Sequence, residues 1–298
     1  VEALREKIVA ARDVLYAQRT NRVAPGLDDK IITAWNGMML ASLAEAARAF
    51  DRADYATAAI RNAEFLLSSL MQDGALLRTW KGGRAKIDGF LEDYANLIDG
   101  LLELYQATFD ARWFTEARRL GDHVLAHFAA DDGGFFDTST RHESLIARPR
   151  SLQDNATPSG NSMMAKGLAR LAAYTGDERY DAAARGTLTQ IAAAARQYPQ
   201  AFGEGLSAID LLARGIDEIA IVGDPAHEAT RALLVEAQVK YRPGAVVALS
   251  PSDVSGEHSL PLLSYRTMKG GAPTVYVCRH FTCQMPVTTA DEMRGLLG

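Results

Sequence analysis

Hydrophobic positions along the chain fall into a unit that occurs three times. The first copy starts at Trp35-Asn36-Gly37, continues through 38–50 to Asp51 and Tyr55, and ends in a second stretch, 59–70. The second starts at Tyr94-Ala95-Asn96, continues through 97–109 to Asp110 and Trp113, and ends in 116–128. The third starts at Ser159-Gly160-Asn161, continues through 162–176 to Asp177 and Tyr180, and ends in 183–195. In each copy the first stretch is apolar or small on nearly every side, the pattern of a helix buried all round. The second stretch is amphipathic, with charge at Arg61, Glu64, Arg118, Arg119 and Arg185. Between them, Asp suits a turn or helix cap, and the aromatic that follows fills the gap between two helices.

A buried inner helix followed by an outer amphipathic one, repeated at a fixed spacing, predicts a ring or solenoid of α-hairpins. The expected fold is mainly α, an α/α toroid whose inner helices start at one mouth of a funnel. Long connections from outer to inner helix rim that mouth, and long structured loops in compact domains are often functional. Three hairpins are half of a six-hairpin ring. Because the chain opens at Val1 inside a helical pattern (Leu4, Ile8, Val9 and Leu15 among Glu2, Arg5, Glu6 and Arg12), the other half is expected upstream. Residues 203–205 (Gly-Glu-Gly) open one more inner-type stretch, with Glu204 a further mouth carboxylate.

After about Leu212 the texture changes. Glu218–Gly223 is a short apolar strand, followed by a helical run over 227–241 and strands at Ala245–Leu249 and Thr274–Cys278. The expected division is a helical-hairpin toroid portion, 1–215, and a small α/β segment, 216–298, packed on it.

Bulk properties narrow the partners. A net charge of −5 and the lack of any Lys/Arg stretch exclude a nucleic-acid binder, which needs a phosphate-neutralising patch. No apolar run approaches the ~20 residues of a membrane span. Two cysteines among 298 residues fit a reducing compartment and offer no disulfide framework, so a cytoplasmic protein is expected. No cofactor is expected. The run Ile221–Pro225 lacks the glycine pattern of a dinucleotide site, and His123, His127, His142, His227 and His258 are read as having no metal-ligand spacing. Cys278 and Cys283 enclose His280, but five positions apart on a strand their sulfurs point to opposite faces, so only a turn between them permits a metal or disulfide.

The candidate chemistry clusters at the three inner-helix starts. Asp28, Asp29 and Lys30 precede Trp35 and Asn36; carboxylates beside an ammonium suit polyol binding or acid–base work. They equally suit capping and a local ion pair. Phe90, Glu92, Asp93, Tyr94 and Asn96 combine acids with aromatics, as carbohydrate-processing sites do. Here too capping by Asp93 and packing by Tyr94 stand as the alternative. Asn155, Ser159 and Asn161 offer small polar groups for sugar hydroxyls, or for a helix start. The asparagine common to all three inner helices suggests a ring of structural hydrogen bonds ahead of ligand contact, because a buried Asn needs partners. The candidate catalytic residues are thus Asp28, Asp29, Glu92 and Asp93. Lys30, Trp35, Asn36, Phe90, Tyr94, Asn96, Asn155, Ser159 and Asn161 are the candidate binding groups, with no metal.

Asp28–Ile31 with Thr33–Gly37, then Leu91–Ala95, then Pro158–Asn161, resemble the spermatogenesis-associated protein 20 family, whose bacterial members are YyaL-like proteins. The tail agrees: Ile221–Gly223, Tyr276–Cys278, then Phe281-Thr282-Cys283 and Pro286. The resemblance runs from about residue 5 to the end. It implies a thioredoxin-like domain ahead of a six-hairpin glycosidase-like toroid, related in fold to N-acylglucosamine 2-epimerases. Expected partners are therefore a sugar or small polyol, the upstream thioredoxin-like domain and the missing hairpins. Glycosidase- or epimerase-like activity is expected of a whole site and not of an isolated fragment. The alternative is a non-catalytic scaffold that presents partners to the redox domain.

Overall fold

The structure is a computed structural model describing residues 1–143, 146–280 and 282–298. Phe281, one of the residues behind the family resemblance, lies outside the described residues, as do Ser144 and Leu145 of the long loop before the third inner helix. The chain divides into two compact units, Val1–Lys30 and Ile31–Gly298. The first holds helix α1 (Glu2–Thr20), amphipathic and without a buried residue.

The second unit begins with β1 (Ile31–Ile32) and three helix pairs: α2 (Thr33–Ala49) with α3 (Ala53–Ser69), α4 (Leu91–Thr108) with α5 (Ala111–His127), and α6 (Gly160–Thr175) with α7 (Glu178–Gln197). A further helix, α8 (Gly203–Arg214), packs on α6. The first member of each pair is the inner one. Helix α4 lies between α2 and α6, while α3, α5 and α7 cover their outer sides. Flanked in this way, α4 is buried at every residue from Asp93 to Leu102, and its polar residues Asp99 and Glu103 are paired with Arg170 of α6. The two-layer row of hairpins is the α/α toroid arrangement expected from the repeat.

Close approach of inner helices depends on glycine. A Cβ on Gly100 of α4 would sit 2.7 Å from the Gly37 carbonyl of α2, and one on Gly37 would sit 2.7 Å from the Asn96 carbonyl carbon. The turn chemistry is also as expected in two copies. Asp110 and Asp177 accept from Arg112 N and Arg179 N (both 3.0 Å), while Trp113 and Tyr180 are buried beneath. Asp51 differs: it takes a left-handed conformation (φ 49°) ahead of α3 and caps nothing.

Two regions depart from the expected loops and strands. The connection between α3 and α4 is β-structure: β2 (Met71–Gln72), β3 (Ala75–Lys81) and β4 (Arg84–Asp88), with β3 also pairing with β1. Lys81 pairs with Arg84 across Gly82-Gly83, both at positive φ, the two-residue hairpin turn that right-twisted strands favour.

At the far end, β5 (Asp217–Val222), α9 (Glu228–Val239), β6 (Ala245–Ser250), β7 (Thr274–Arg279), β8 (Thr282–Cys283) and α10 (Ala290–Leu297) form a sheet of order β6-β5-β7-β8 with two helices. Strand alternation sorts its faces. Ile219, Ile221, Val275 and Val277 meet α9 and α10, while Ala220, Val222, Ala248 and Tyr276 join the core of the hairpins. Gln106 and Tyr174, near the C-terminal ends of α4 and α6, fix this sheet by hydrogen bonds to Val247 N and O. Helices α4 and α6 therefore have their C-terminal ends against this sheet and their N-terminal ends at the mouth.

The expectation for the two cysteines is corrected here. His280 takes a left-handed conformation (φ 51°), the chain reverses, and Cys283 lands opposite Cys278 on the paired strands. The two are joined as a disulfide, with Cα atoms 3.9 Å apart. Opposite faces would have followed only from one uninterrupted strand. Among the described residues no helix is long and apolar enough to cross a membrane.

Candidate functional site

At the N-terminus of α4, Asp93 does most of the local structural work. Its Oδ1 accepts from Ala34 N at 2.9 Å, and its Oδ2 accepts from Phe90 N at 2.9 Å and Arg78 Nη1 at 3.1 Å. It thus ties the starts of α2 and α4 to strand β3. The group is fully buried, and burial pushes its carboxyl up to about 6, against the pull of Arg78 and the two amides. Glu92, one residue earlier, is part-exposed and bonds the same Arg78 nitrogen at 2.7 Å. The Arg78 guanidinium lies 4.7 Å from the Phe90 ring centroid.

Arg78, Phe90 and Glu92, but not Asp93, border a cavity of about 390 Å³ at the mouth, between the starts of α4 and α6. Phe90, Glu92, Asn155 and Ser159 line it together with Arg78, Asp137, Ser151 and Gln153. Asp137 is held by Ser151, whose N and Oγ donate to its carboxylate at 2.9 and 2.7 Å. A half-buried ring, two carboxylates, a guanidinium and two side-chain amides therefore converge on one space. Such a lining can hydrogen-bond a polyhydroxyl ligand while offering an apolar face to a sugar ring.

Asp28, Asp29 and Lys30 belong to the first unit, where Lys30 Nζ lies 3.2 Å from Asp28 Oδ2 and Lys30 N donates to Asp28 Oδ1. Trp35 is 61% exposed on α2 and does not border the cavity. Tyr94 is buried: its hydroxyl accepts from Leu76 N at 2.8 Å, and its ring stacks on His123. Ser159 caps α6 by accepting from Ser162 N. Asn161 clamps the preceding loop, accepting from Phe135 N and donating to Phe135 O and Ser151 O.

The three asparagines do not bond one another. Asn36 and Asn96 each donate back one turn, to Ile32 O and Glu92 O, so the shared motif is a local helix contact in two copies and a loop clamp in the third. Asn96 Oδ1 is buried with no hydrogen-bond partner.

Arg78 and Asp137 were not among the expected residues. Arg78 lies on a hairpin strand where the sequence pattern suggests a loop; the Lys-Gly-Gly-Arg turn flanked by strand-forming residues is the available signal. Asp154 is also more than a loop residue: it accepts from Ser159 N, Glu204 N and Gly205 N, capping α6 and α8 together. Glu204 pairs with Lys166 instead of standing free at the mouth. Lys166 and Arg170 belong to a run of ion pairs between inner helices, with Arg170 2.8 Å from Asp99 and 2.7 Å from Glu103. Burial raises the Asp99 carboxyl, but Lys166 and Arg170 more than offset this and hold it below its ordinary value.

His123 and His127, read as lacking ligand spacing, lie one turn apart on α5 with ring centroids 4.5 Å apart. Burial, with His127 and two arginines nearby, pushes His123 down to about 4. Among the described residues no group of three ligating side chains surrounds a metal-sized space.

No family model matches the chain. Spermatogenesis-associated protein 20 from Rattus norvegicus is 32% identical over 311 aligned positions, covering 100% of this chain and 39% of the relative. The Homo sapiens protein of the same name is likewise 32% identical, with 40% of it covered. An uncharacterized Caenorhabditis elegans protein is 28% identical over 99% of this chain and 41% of its own length.

Among solved structures, a heparin-specific unsaturated glucuronyl hydrolase aligns with a TM-score of 0.47 and 16% identity, covering 57% of this chain and 48% of that one. A sugar epimerase from a ruminal bacterium aligns with 0.46 and 15%, covering 54% and 43%. A GH76 alpha-mannanase from Bacteroides thetaiotaomicron aligns with 0.45 and 18%, covering 55% and 46%. The chain spans about two fifths of the curated relatives it matches, and it is a homologue of the C-terminal part of spermatogenesis-associated protein 20.

Proposed function

We propose that the mouth cavity binds a sugar or small polyol. The observation behind this reading is the convergence of Glu92, Asp137, Arg78, Phe90, Gln153 and Asn155 on one 390 Å³ space beside two inner-helix starts. In this reading Phe90 supplies the platform, and the amides of Gln153 and Asn155 take hydroxyl groups. Glu92 is the carboxylate that reaches the ligand. Asp93 acts behind it, setting the position of Arg78 and so of Glu92. Asp28, Asp29 and Lys30 of the first unit stay in the proposal as candidate groups in their own right, and Trp35 and Asn36 as candidate binding groups of α2 outside this cavity. The chemistry is glycosidase- or epimerase-like, with Glu92 giving or taking the proton. The helical portion, 1–215, carries the site and the α/β portion, 216–298, buttresses it. An upstream thioredoxin-like domain belongs to the same proposal.

A second reading has its own support. Asp93, Ser159, Asn161 and Asp154 are all spent on helix starts and loop clamps, as in a scaffold serving a fused redox domain.

The test is a binding panel of glucose, mannose, N-acetylglucosamine, glucuronic acid and cellobiose, run by calorimetry on the full-length protein and on its Glu92→Gln and Asp29→Asn variants. The sugar reading expects at least one ligand to bind, and Glu92→Gln to weaken it about tenfold, the ~1.4 kcal/mol of one charge-assisted hydrogen bond. No binding across the panel, or equal binding by Glu92→Gln, overturns it in favour of the scaffold.

A further inference from the structure

We propose that Cys278 and Cys283 form a site of reversible thiol–disulfide exchange, reduced by an external dithiol that attacks Cys283. The inference is independent of the sugar reading. It starts from an asymmetry between the two sulfurs. Cys278 is buried within β7, whereas Cys283 is exposed on β8, a two-residue strand at the edge of the sheet. A nucleophile reaches a disulfide only through an accessible sulfur, and here that sulfur is Cys283.

The second observation is Arg266. Its Nη2 lies 3.2 Å from Cys283 Sγ and 3.6 Å from Cys278 Sγ. The guanidinium rests 4.7 Å from the Tyr276 ring centroid, and its Nε donates to Leu262 O, so contacts other than the sulfurs hold it in place. A fixed cation beside both sulfurs favours thiolate over thiol, which makes Cys278 a good leaving group and steadies the reduced pair. The third observation concerns the fold. The bridge spans a sequence separation of only five, and a crosslink constrains the unfolded chain least when its loop is short. The hairpin also has its own backbone bond, Gln284 N to Val277 O at 2.9 Å. The disulfide is thus placed for exchange more than for holding the sheet.

In the exchange, a thiolate of the dithiol attacks Cys283 Sγ, a mixed disulfide forms, and the electron pair of the broken bond leaves on Cys278 Sγ beside Arg266. The second thiol of the dithiol, deprotonated, then attacks its own partner sulfur and releases Cys283 as thiolate. Two electrons pass from the dithiol, which becomes a disulfide, to the two cysteines, and two protons equilibrate with solvent.

The test is equilibration of the native chain with mixtures of reduced and oxidised dithiothreitol at pH 7, followed by alkylation and mass spectrometry, with circular dichroism recorded in parallel. The expected result is a protein with no alkylated cysteine before reduction. Both cysteines then become alkylated after reduction without denaturant, with the fold kept. Arg266→Ala should shift the equilibrium toward the disulfide about tenfold, which is about 30 mV for a two-electron couple. Arg266→Lys, which retains the cation, should recover part of that shift. Free thiols in the air-oxidised protein, or reduction only in denaturant, overturns the proposal on the wild-type chain alone. An equilibrium unchanged in Arg266→Ala overturns the role of the cation.

Discussion

Replacing Asp93 by Asn separates the two forces acting on that carboxylate. In the folded chain its carboxyl stands at about 6, compared with about 3.9 for an unperturbed Asp. A carboxyl whose folded value is raised favours the folded state most when it is protonated. The stability it contributes is full below pH ~4 and is lost as pH rises through ~6. Roughly two units at 1.36 kcal/mol each amounts to about 3 kcal/mol lost across that window. Asn resembles the protonated acid in shape and can still accept a backbone N–H, as N-terminal asparagines do. Asp93→Asn should therefore be within about 1 kcal/mol of wild type at pH 4 and more stable by up to ~3 kcal/mol at pH 7.5. Asp93→Ala leaves the Ala34 and Phe90 amides without their acceptor and should lose about 2–4 kcal/mol at pH 4, a deficit that narrows by about 3 kcal/mol at pH 7.5, where the wild type has itself lost that amount. Urea unfolding followed by circular dichroism at pH 4 and pH 7.5 reads both variants. If Asp93→Asn becomes less stable than wild type as pH rises, then Arg78 and the two amides outweigh burial. The carboxylate would then be a favourable ion.

Two further substitutions probe the frame of the mouth. Gly100→Ala places a methyl 2.7 Å from the Gly37 carbonyl, so α2 and α4 must separate. A loss of about 1–3 kcal/mol by urea unfolding is expected from such overpacking, and an unchanged midpoint would show that the helices are not in backbone contact. Asp154→Ala removes the acceptor shared by Ser159, Glu204 and Gly205 amides. It should cost about 1–3 kcal/mol and raise hydrogen exchange at the first turns of both α6 and α8. Protection lost at only one of them would contradict the double cap.

The repeated hairpin is readable because the inner helices are apolar or small on nearly every side, and their few charged residues, such as Asp99, Glu103 and Arg170, pair with one another. The start of each inner helix was readable for a related reason: Asp93, Ser159 and Asn161 are residue types that satisfy free helix-end groups. The same property hid their roles, since a capping carboxylate and a ligand-binding one look identical in sequence. Only the three-dimensional partners show that Asp93 is fully engaged while Glu92 faces the cavity. Arg78 escaped because its strand was read as loop, although Gly82-Gly83 between alternating residues marks a hairpin. For the cysteines, strand alternation holds only up to His280, where the backbone turns and brings the two sulfurs together. Asp137 and Gln153 enter the site from a loop whose path depends on contacts with residues far along the chain, such as Leu91 N to Asp137 O and Asp154 N to Ala201 O. No local pattern encodes those contacts.

The most direct measurement is amide chemical-shift mapping of the isotope-labelled chain titrated with whichever panel sugar binds. The sugar reading predicts that the largest shifts fall on Phe90, Glu92, Gln153, Asn155 and the first turn of α6, and that Glu92→Gln needs about tenfold more sugar to reach them. Shifts centred elsewhere, or shifts reached at an unchanged sugar concentration in Glu92→Gln, would contradict it.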